Sequence, residues 1–252
     1  MSDFINSIDL TLIQWILLII SAIFVGLSKT SISAFLMIVI PIIASVFGGK
    51  ESTGIILPML IVGDVFALYY YNRHADWKDV IKLLPWTAIG LGLGIFVGNF
   101  INDQTFISII AISIMLCLII LIYCEVKGDK LIVPKGFWFH GFAGILTGFT
   151  SMIGNAAGPI FSVYLLSLGF NKNKFLGTTA WFFFIVNISK IPLQVIFWHN
   201  ISLNNAMFTA ILIPAIAFGA VIGSFLIKKI NEKLFKYAII MMTAIVAIKL
   251  LI

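Results

Sequence analysis

Charge is the scarcest ingredient of this 252-residue chain: Asp and Glu together number 10, and only 10% of all residues are charged. Hydrophobic residues make up 61% and the mean hydropathy is +1.14. With so little polar surface the chain cannot close as a water-soluble globule, and it reads as an all-α, polytopic membrane protein with the lipid bilayer as solvent. No stretch is polar or low-complexity enough to form an extramembrane domain or a long linker, which excludes catalysis by a separate soluble module. Cysteine is nearly absent. Cys117 and Cys124 lie within one apolar run, where they read as packing residues and say little about redox compartment. His74, His140 and His199 stand apart from Cys and carboxylate partners at ligand spacing, so no zinc site and no cofactor is implied. Walker, Gly-x-Ser-x-Gly and His-Glu-x-x-His patterns are missing, which leaves ATP-driven pumping and common hydrolase chemistry without support. The net charge of +6 does not indicate nucleic-acid binding, because the lysines are scattered over short loops and form no stripe. The opening Met1 to Leu10 carries Asp3 and Asp9, with no positive n-region and no small-residue cleavage site after it, so the first span reads as retained.

What is present is a succession of apolar runs, approximately 10–27, 30–47, 52–71, 80–101, 104–123, 136–150, 154–169, 174–198, 204–228 and 233–252. A crossing needs about 20 residues at about 1.5 Å each, so the sixth and seventh runs fall short of full spans. They are joined by Gly148 to Pro159, where small residues and a proline interrupt the helix with no charge to mark an aqueous loop. The first and second runs meet similarly at Gly26 to Ser31. Each half, 1–125 and 126–252, is therefore expected to open with a broken or re-entrant hairpin, giving about eight to ten segments in two repeats. Pro85, Ala88, Gly90, Gly94, Ile101, Asn102 and Phe106 recur as Pro214, Ala217, Gly219, Gly223, Ile230, Asn231 and Phe235 at one constant offset. Earlier the offset is smaller, pairing Gly26 with Gly148, Gly54 with Gly177 and Asp64 with Asn187.

Placing the amino terminus outside collects Lys29, Arg73, Lys78, Lys82, Lys127, Lys130, Lys135, Lys172, Lys174, Lys228, Lys229, Lys233 and Lys236 on the inside and leaves Lys50 and Lys249 outside. An odd number of crossings per half makes the repeats inverted, the architecture of alternating-access carriers with sites near the midplane. The sequence is compatible with a homodimer.

Ionisable residues inside such runs are functional candidates by default. Lys190 lies about 12 Å by helical rise from the end of its run, farther than lysine easily snorkels. Asn187, Lys190 and Gln194 share one helix face and are expected to line a common cavity. Asp64 either pairs with a lysine or titrates as a proton-coupling carboxylate. Lys29 follows a Gly-x-Ser break, where a ligand role competes with cytosolic anchoring. Asn155 and the amides from Gly154 to Gly158 offer an anion-friendly helix start. Two lysines against one carboxylate favour a small anionic substrate. Gly90, Gly94 and Gly98, echoed by Gly219 and Gly223, read as close helix packing, and Trp77, Trp86, Trp138 and Trp198 as interface anchors.

Five stretches also carry a family resemblance. Gly26-Leu27-Ser28-Lys29-Thr30, Gly63-Asp64-Val65-Phe66-Ala67, Asp76-Trp77 with Leu83-Leu84-Pro85-Trp86, Asn155-Ala156-Ala157-Gly158-Pro159, and Gly177-Thr178-Thr179-Ala180 with Asn187 and Lys190 together resemble the sulfite exporter TauE/SafE family, also called the toluene-sulfonate uptake permease family. The first hairpin departs from the commonest pattern, with Thr30-Ser31-Ile32-Ser33-Ala34 where many members carry a glycine cluster. The resemblance implies a secondary carrier of sulfur-containing anions such as sulfite, thiosulfate or organosulfonates in a bacterial cell membrane. On that reading Lys29, Ser28, Thr30, Asn155, Gly158, Asn187 and Lys190 bind the substrate and Asp64 couples transport to protons or releases a lysine. An anion channel using the same lysines is the nearest alternative; a membrane-embedded enzyme is a more distant one, for which no nucleophile–base pair is evident.

Overall fold

The computed structural model describes residues 10–100, 105, 112, 137–201, 203–231, 233–235, 237–238 and 241. Most of the fifth and tenth apolar runs, both cysteines and the lysines at 127, 130, 135, 236 and 249 lie outside the described residues. Those described are helical, with no strand among them. In chain order the helices are α1 (Leu12–Thr30), α2 (Leu36–Phe47), α3 (Gly49–Tyr71), α4 (Trp77–Gly98), α5 (Phe137–Gly154), α6 (Ala157–Ser167), α7 (Lys172–Leu193) and α8 (Leu203–Lys229). Five stretches among them are long and apolar enough to cross a membrane: Leu12–Thr30, Lys50–His74, Trp77–Gly98, Lys172–Trp198 and Met207–Lys229. The chain is an all-α, multi-pass membrane protein.

Local sequence sets the helix ends. Thr11 and Gln14 form a reciprocal capping box at the start of α1. The Asp76 carboxylate accepts from the Lys78 and Asp79 amides to begin α4, and the Asn171 side chain accepts from the Lys174 amide to begin α7.

The two helix interruptions are narrower than the glycine-rich sequence suggests. α5 continues through Gly148 to Gly154 and stops only at Asn155, whose φ of 56° is left-handed, followed by Ala156. Asn tolerates that conformation better than most non-glycine residues. The sixth run is thus an 18-residue helix and not a short one. It persists because its glycines are spent on packing, while in an apolar interior the backbone must satisfy its own hydrogen bonds. The first break also lies later than expected. α1 runs on to Thr30, the chain opens at Ser31–Ile32, and one 3₁₀ turn (Ser33–Phe35) leads into α2. The short members are α2 and α6, at 12 and 11 residues, which reach about 17 Å against a hydrocarbon core of about 30 Å. Pro159 sits in the first turn of α6, where its missing N–H costs no helical bond.

Two close helix pairs frame the centre. α1 lies along α8, with Gly26 against the Ile216 carbonyl and Gly219 against the Ile23 carbonyl; α4 lies along α5, with Gly90 against the Ile145 carbonyl and Gly148 against the Thr87 carbonyl. A Cβ at any of the four would overlap backbone, so these glycines serve close approach, as small residues do at membrane helix contacts. α3 and α7 cross between the pairs, and the α6–α7 contact is filled by Phe161 stacked on Phe182 at 4.1 Å. Trp77 and Trp138 are exposed in the manner of interface anchors and Trp86 is half-buried. Trp198 departs from the expectation: it is 6% exposed and its ring packs against Gly98.

Candidate functional site

The broken ends of α1 and α5 converge on the middles of α3 and α7. Lys29 comes from the last turn of α1, Asp64 from α3, Asn187 and Lys190 from α7, and Ser151 and Asn155 from the end of α5. All are buried apart from the Lys29 side chain, which keeps 9% of its exposure. Charged groups at that depth persist only with partners.

Those partners are present. Lys29 Nζ lies 2.6 Å from one Asp64 oxygen, and Asn187 Nδ2 donates to the other at 2.6 Å. The Lys29 stem crosses α3 at Gly63, where a Cβ would come within 2.9 Å of Lys29 Cγ. Its ammonium also lies 5.0 Å from the centroid of the Phe183 ring, a cation–π contact. Lys190 Nζ donates to Asn155 Oδ1 at 2.5 Å and to Ser151 Oγ at 3.3 Å. Asn155 in turn donates from Nδ2 to the Thr53 carbonyl at 3.4 Å. Two ammonium side chains and one carboxylate therefore share the centre of the molecule.

A cavity of about 20 Å³ opens among these groups, room for about one water. Of the residues singled out from sequence, Ser28, Lys29, Asp64, Asn155, Gly158 and Asn187 line it. Lys190 does not. It stands behind the wall, bonded to the two lining residues Ser151 and Asn155, so the expectation that Asn187, Lys190 and Gln194 line one cavity holds for Asn187 alone. Helix α7 presents Asn187 to the cavity, while the four-carbon Lys190 stem carries its ammonium around to α5. Thr30 also lies outside the lining. Its hydroxyl donates to the Ala220 carbonyl at 2.8 Å and its carbonyl accepts from the Tyr71 hydroxyl at 2.8 Å, which commits it to packing. Gly158 has a steric role: a Cβ there would sit 3.0 Å from Ser33 Cβ, so its absence lets the two breaks approach.

Ser33, Ser151 and Thr179 were not singled out as ligands, yet all line the cavity. Ser33 and Ser162 share a hydrogen bond at 3.0 Å, and Thr179 Oγ1 is buried with no hydrogen-bond partner among the described residues. The signal for Ser151 was in the repeat: it follows Gly148 by the interval at which Lys29 follows Gly26.

Away from the cavity, Lys174 lies 2.6 Å from Asp76 in the α3–α4 turn. That bond holds the Asp76 carboxyl below the usual carboxylate range, against the smaller opposing effect of burial. The Asp76 amide donates to Thr178 Oγ1 at 2.9 Å, tying the same turn to α7. His140 shares a 2.8 Å hydrogen bond with the Tyr164 hydroxyl.

Comparison with curated proteins and with solved structures gives no match. The family model for the sulfite exporter TauE/SafE proteins matches residues 18–250. That match takes in both helix breaks, the crossing of α3 and α7 and every residue of the cavity, and with it the chain belongs to the sulfite exporter TauE/SafE family of membrane transporters.

Proposed function

We propose that this protein is a secondary carrier of a small sulfur-containing oxyanion, of the sulfite, thiosulfate or organosulfonate class, across the cytoplasmic membrane. The observation that carries the reading is the buried Lys29–Asp64 pair beside Lys190. An arriving anion takes Lys29 in place of Asp64 and accepts from Asn187 and Ser151 around the cavity wall, joined by Ser28 once its hydroxyl turns from the Val25 carbonyl, to which it donates at 2.8 Å. Lys190 supplies the second positive charge through Asn155 and Ser151, and reaches the anion when those bonds shift. Asp64, released from Lys29, is left as a buried carboxylate whose protonation couples transport to protons; return of Lys29 to Asp64 releases the anion. The small cavity fits an occluded resting arrangement in which the ion pair fills the space that the anion later takes.

Alternating access is supported by the way close contacts recur. Gly26 on Ile216 and Gly148 on Thr87 are repeat counterparts, as are Gly219 on Ile23 and Gly90 on Ile145. Each opening helix thus packs on the fourth segment of the other half, the exchange expected of inverted halves 1–125 and 126–252 that rock about a shared site. The lysine distribution supports an amino terminus on the outside.

The test is proteoliposome uptake of labelled sulfite, thiosulfate, a short sulfonate and a carboxylate control by wild type and Lys190→Ala. A carrier gives saturable flux, stimulated by anion on the opposite side, that the substitution reduces at least about tenfold. Unchanged flux in Lys190→Ala removes Lys190 from the mechanism, and linear flux without trans-stimulation points to a channel.

A further inference from the structure

The cavity accounts for Asn187, and the Ser151–Asn155 wall behind it for Lys190, but two buried groups on the continuation of α7 are left unused. Gln194 is fully buried, and neither its amide nitrogen nor its amide oxygen has a hydrogen-bond partner among the described residues. One turn further, Trp198 is 6% exposed and its indole N–H is likewise unpartnered among them. A leucine and a phenylalanine would fill those places without stranding polar groups, so packing alone does not account for the choice. Both residues belong to a single π-helical turn, Gln194–Trp198, that ends at His199 with φ 51°. Such turns are uncommon and cluster at functional sites.

Their placement gives the unused groups a direction. Asn187, Lys190, Gln194 and Trp198 succeed one another along one face of α7 and its π turn, and Gln194 lies about 6 Å beyond Lys190 by helical rise. Lys50 stands at the far end, its Nζ 5.3 Å from the Trp198 ring centroid and 3.4 Å from Asn99 Oδ1. A parallel line of hydrogen bonds joins the cavity wall to that end: Asn155 donates to the Thr53 carbonyl, and Asn200 Nδ2 donates at 2.9 Å to both Thr53 Oγ1 and the Lys50 carbonyl. Glu51, the neighbouring carboxylate, is exposed on the first turn of α3. An amide N–H, an indole N–H and an ammonium group in sequence form a donor set for an oxyanion.

We infer that Gln194 and Trp198 form a second anion-binding station, where the solute halts between the Lys29–Asp64 cavity and the Lys50 end of the molecule. The station rests on the carrier reading above and deepens it: the anion leaves Lys190 for the Gln194 amide and then the Trp198 indole, so it is never stripped of all donors at once. Among the described residues nothing accepts from the Gln194 amide N–H or the Trp198 indole N–H, and an anion in transit supplies that acceptor as that end opens.

The full-length protein in proteoliposomes, assayed for counterflow of ³⁵S-labelled sulfite and, in detergent, for equilibrium sulfite binding, tests this. Gln194→Leu is expected to slow counterflow about tenfold and Trp198→Phe about threefold, with sulfite affinity held within about twofold of wild type. A merely structural role would not slow exchange while sparing binding. Should Gln194→Leu lose binding as well, Trp198→Phe decides: slowed exchange with retained binding supports the station, and wild-type exchange overturns it. Wild-type exchange in both variants, alongside failure of Lys190→Ala, overturns the station and leaves the carrier standing. Absence of saturable counterflow of sulfite, thiosulfate and a short sulfonate alike in the wild type overturns both.

Discussion

Asp64→Asn separates competition from support at the centre of the site. The carboxylate holds the Lys29 ammonium at 2.6 Å on one oxygen and accepts from Asn187 at 2.6 Å on the other, with the two charged side chains 9% and 1% exposed. Solvent and salt screen such a pair weakly. If the anion must take Lys29 from Asp64, replacing the carboxylate by an amide lowers what has to be displaced. A charge-assisted bond is worth about 1.5–3 kcal/mol and a neutral one about 0.5–1.5, a difference of roughly tenfold in affinity. Relief of repulsion between the carboxylate and an anion about 6 Å away adds up to about 3 kcal/mol at an effective dielectric constant of about 20. Sulfite should therefore bind at least about tenfold more tightly to the variant. The ligand-free protein loses stability at the same time, by at most the roughly 3–5 kcal/mol of a broken buried pair, because the amide oxygen still accepts from Lys29. Turnover falls, since no carboxylate remains to reclaim the lysine. Equilibrium binding with thermal unfolding, both with and without sulfite, reads all three effects; bound anion should restore much of the lost stability. Binding weakened as severely as in Lys29→Ala would refute the reasoning and make Asp64 a scaffold for the anion site.

Two further predictions concern the scaffold. Gly148→Ala drives a Cβ into the Thr87 carbonyl and should destabilise by about 1–3 kcal/mol or more, whereas Gly92→Ala, in open space on α4, should stabilise by up to about 1 kcal/mol; thermal unfolding in detergent tells them apart. Because the folded Asp76 carboxyl titrates below its ordinary range, its bond to Lys174 contributes stability that is present above about pH 4 and lost as the pH falls through the lowered value. Asp76→Asn should thus lower the unfolding temperature at pH 7 and converge with wild type in acid; equal curves at every pH would contradict the assignment.

Composition and run lengths were enough to read the class and most spans, because hydropathy reports directly on solvent. The helix breaks were legible only to within a few residues. Gly148 to Pro159 looks like a long interruption, but glycine in a membrane helix also marks close packing, and the neighbouring α4 backbone that decides between the two is remote in sequence. The same limit applies at the site. Lys29, Asp64 and Asn187 stand out because polar groups in apolar runs are rare, whereas Ser33, Ser151 and Thr179 are ordinary membrane-helix residues until the fold assembles them around one cavity. Spacing along α7 put Lys190 on the Asn187 face; the reach of its side chain to α5 was not in the spacing.

The crossing of α3 and α7 carries two closures at opposite ends, and they differ in kind. Gly54, near the start of α3, is pressed against the Asn200 carbonyl, and Gly177, near the start of α7, against His74 and Ala75. These glycines are counterparts in the proposed repeat, on which the two contacts are one joint made twice. The Gly177 joint is reinforced by the Asp76–Lys174 ion pair, by the Asp76 amide bonded to Thr178 and by Trp181 against Trp77 with ring centroids 4.9 Å apart. The Gly54 joint carries the Asn200 amide bonded to Thr53 and to the Lys50 carbonyl. On the proposed mechanism only one joint opens at a time, and neutral hydrogen bonds give way to water more readily than a partly buried charge pair with its cap and ring contact. On that mechanism the arrangement is expected to open first at the Lys50 end, where Gln194 and Trp198 carry unpartnered donors among the described residues.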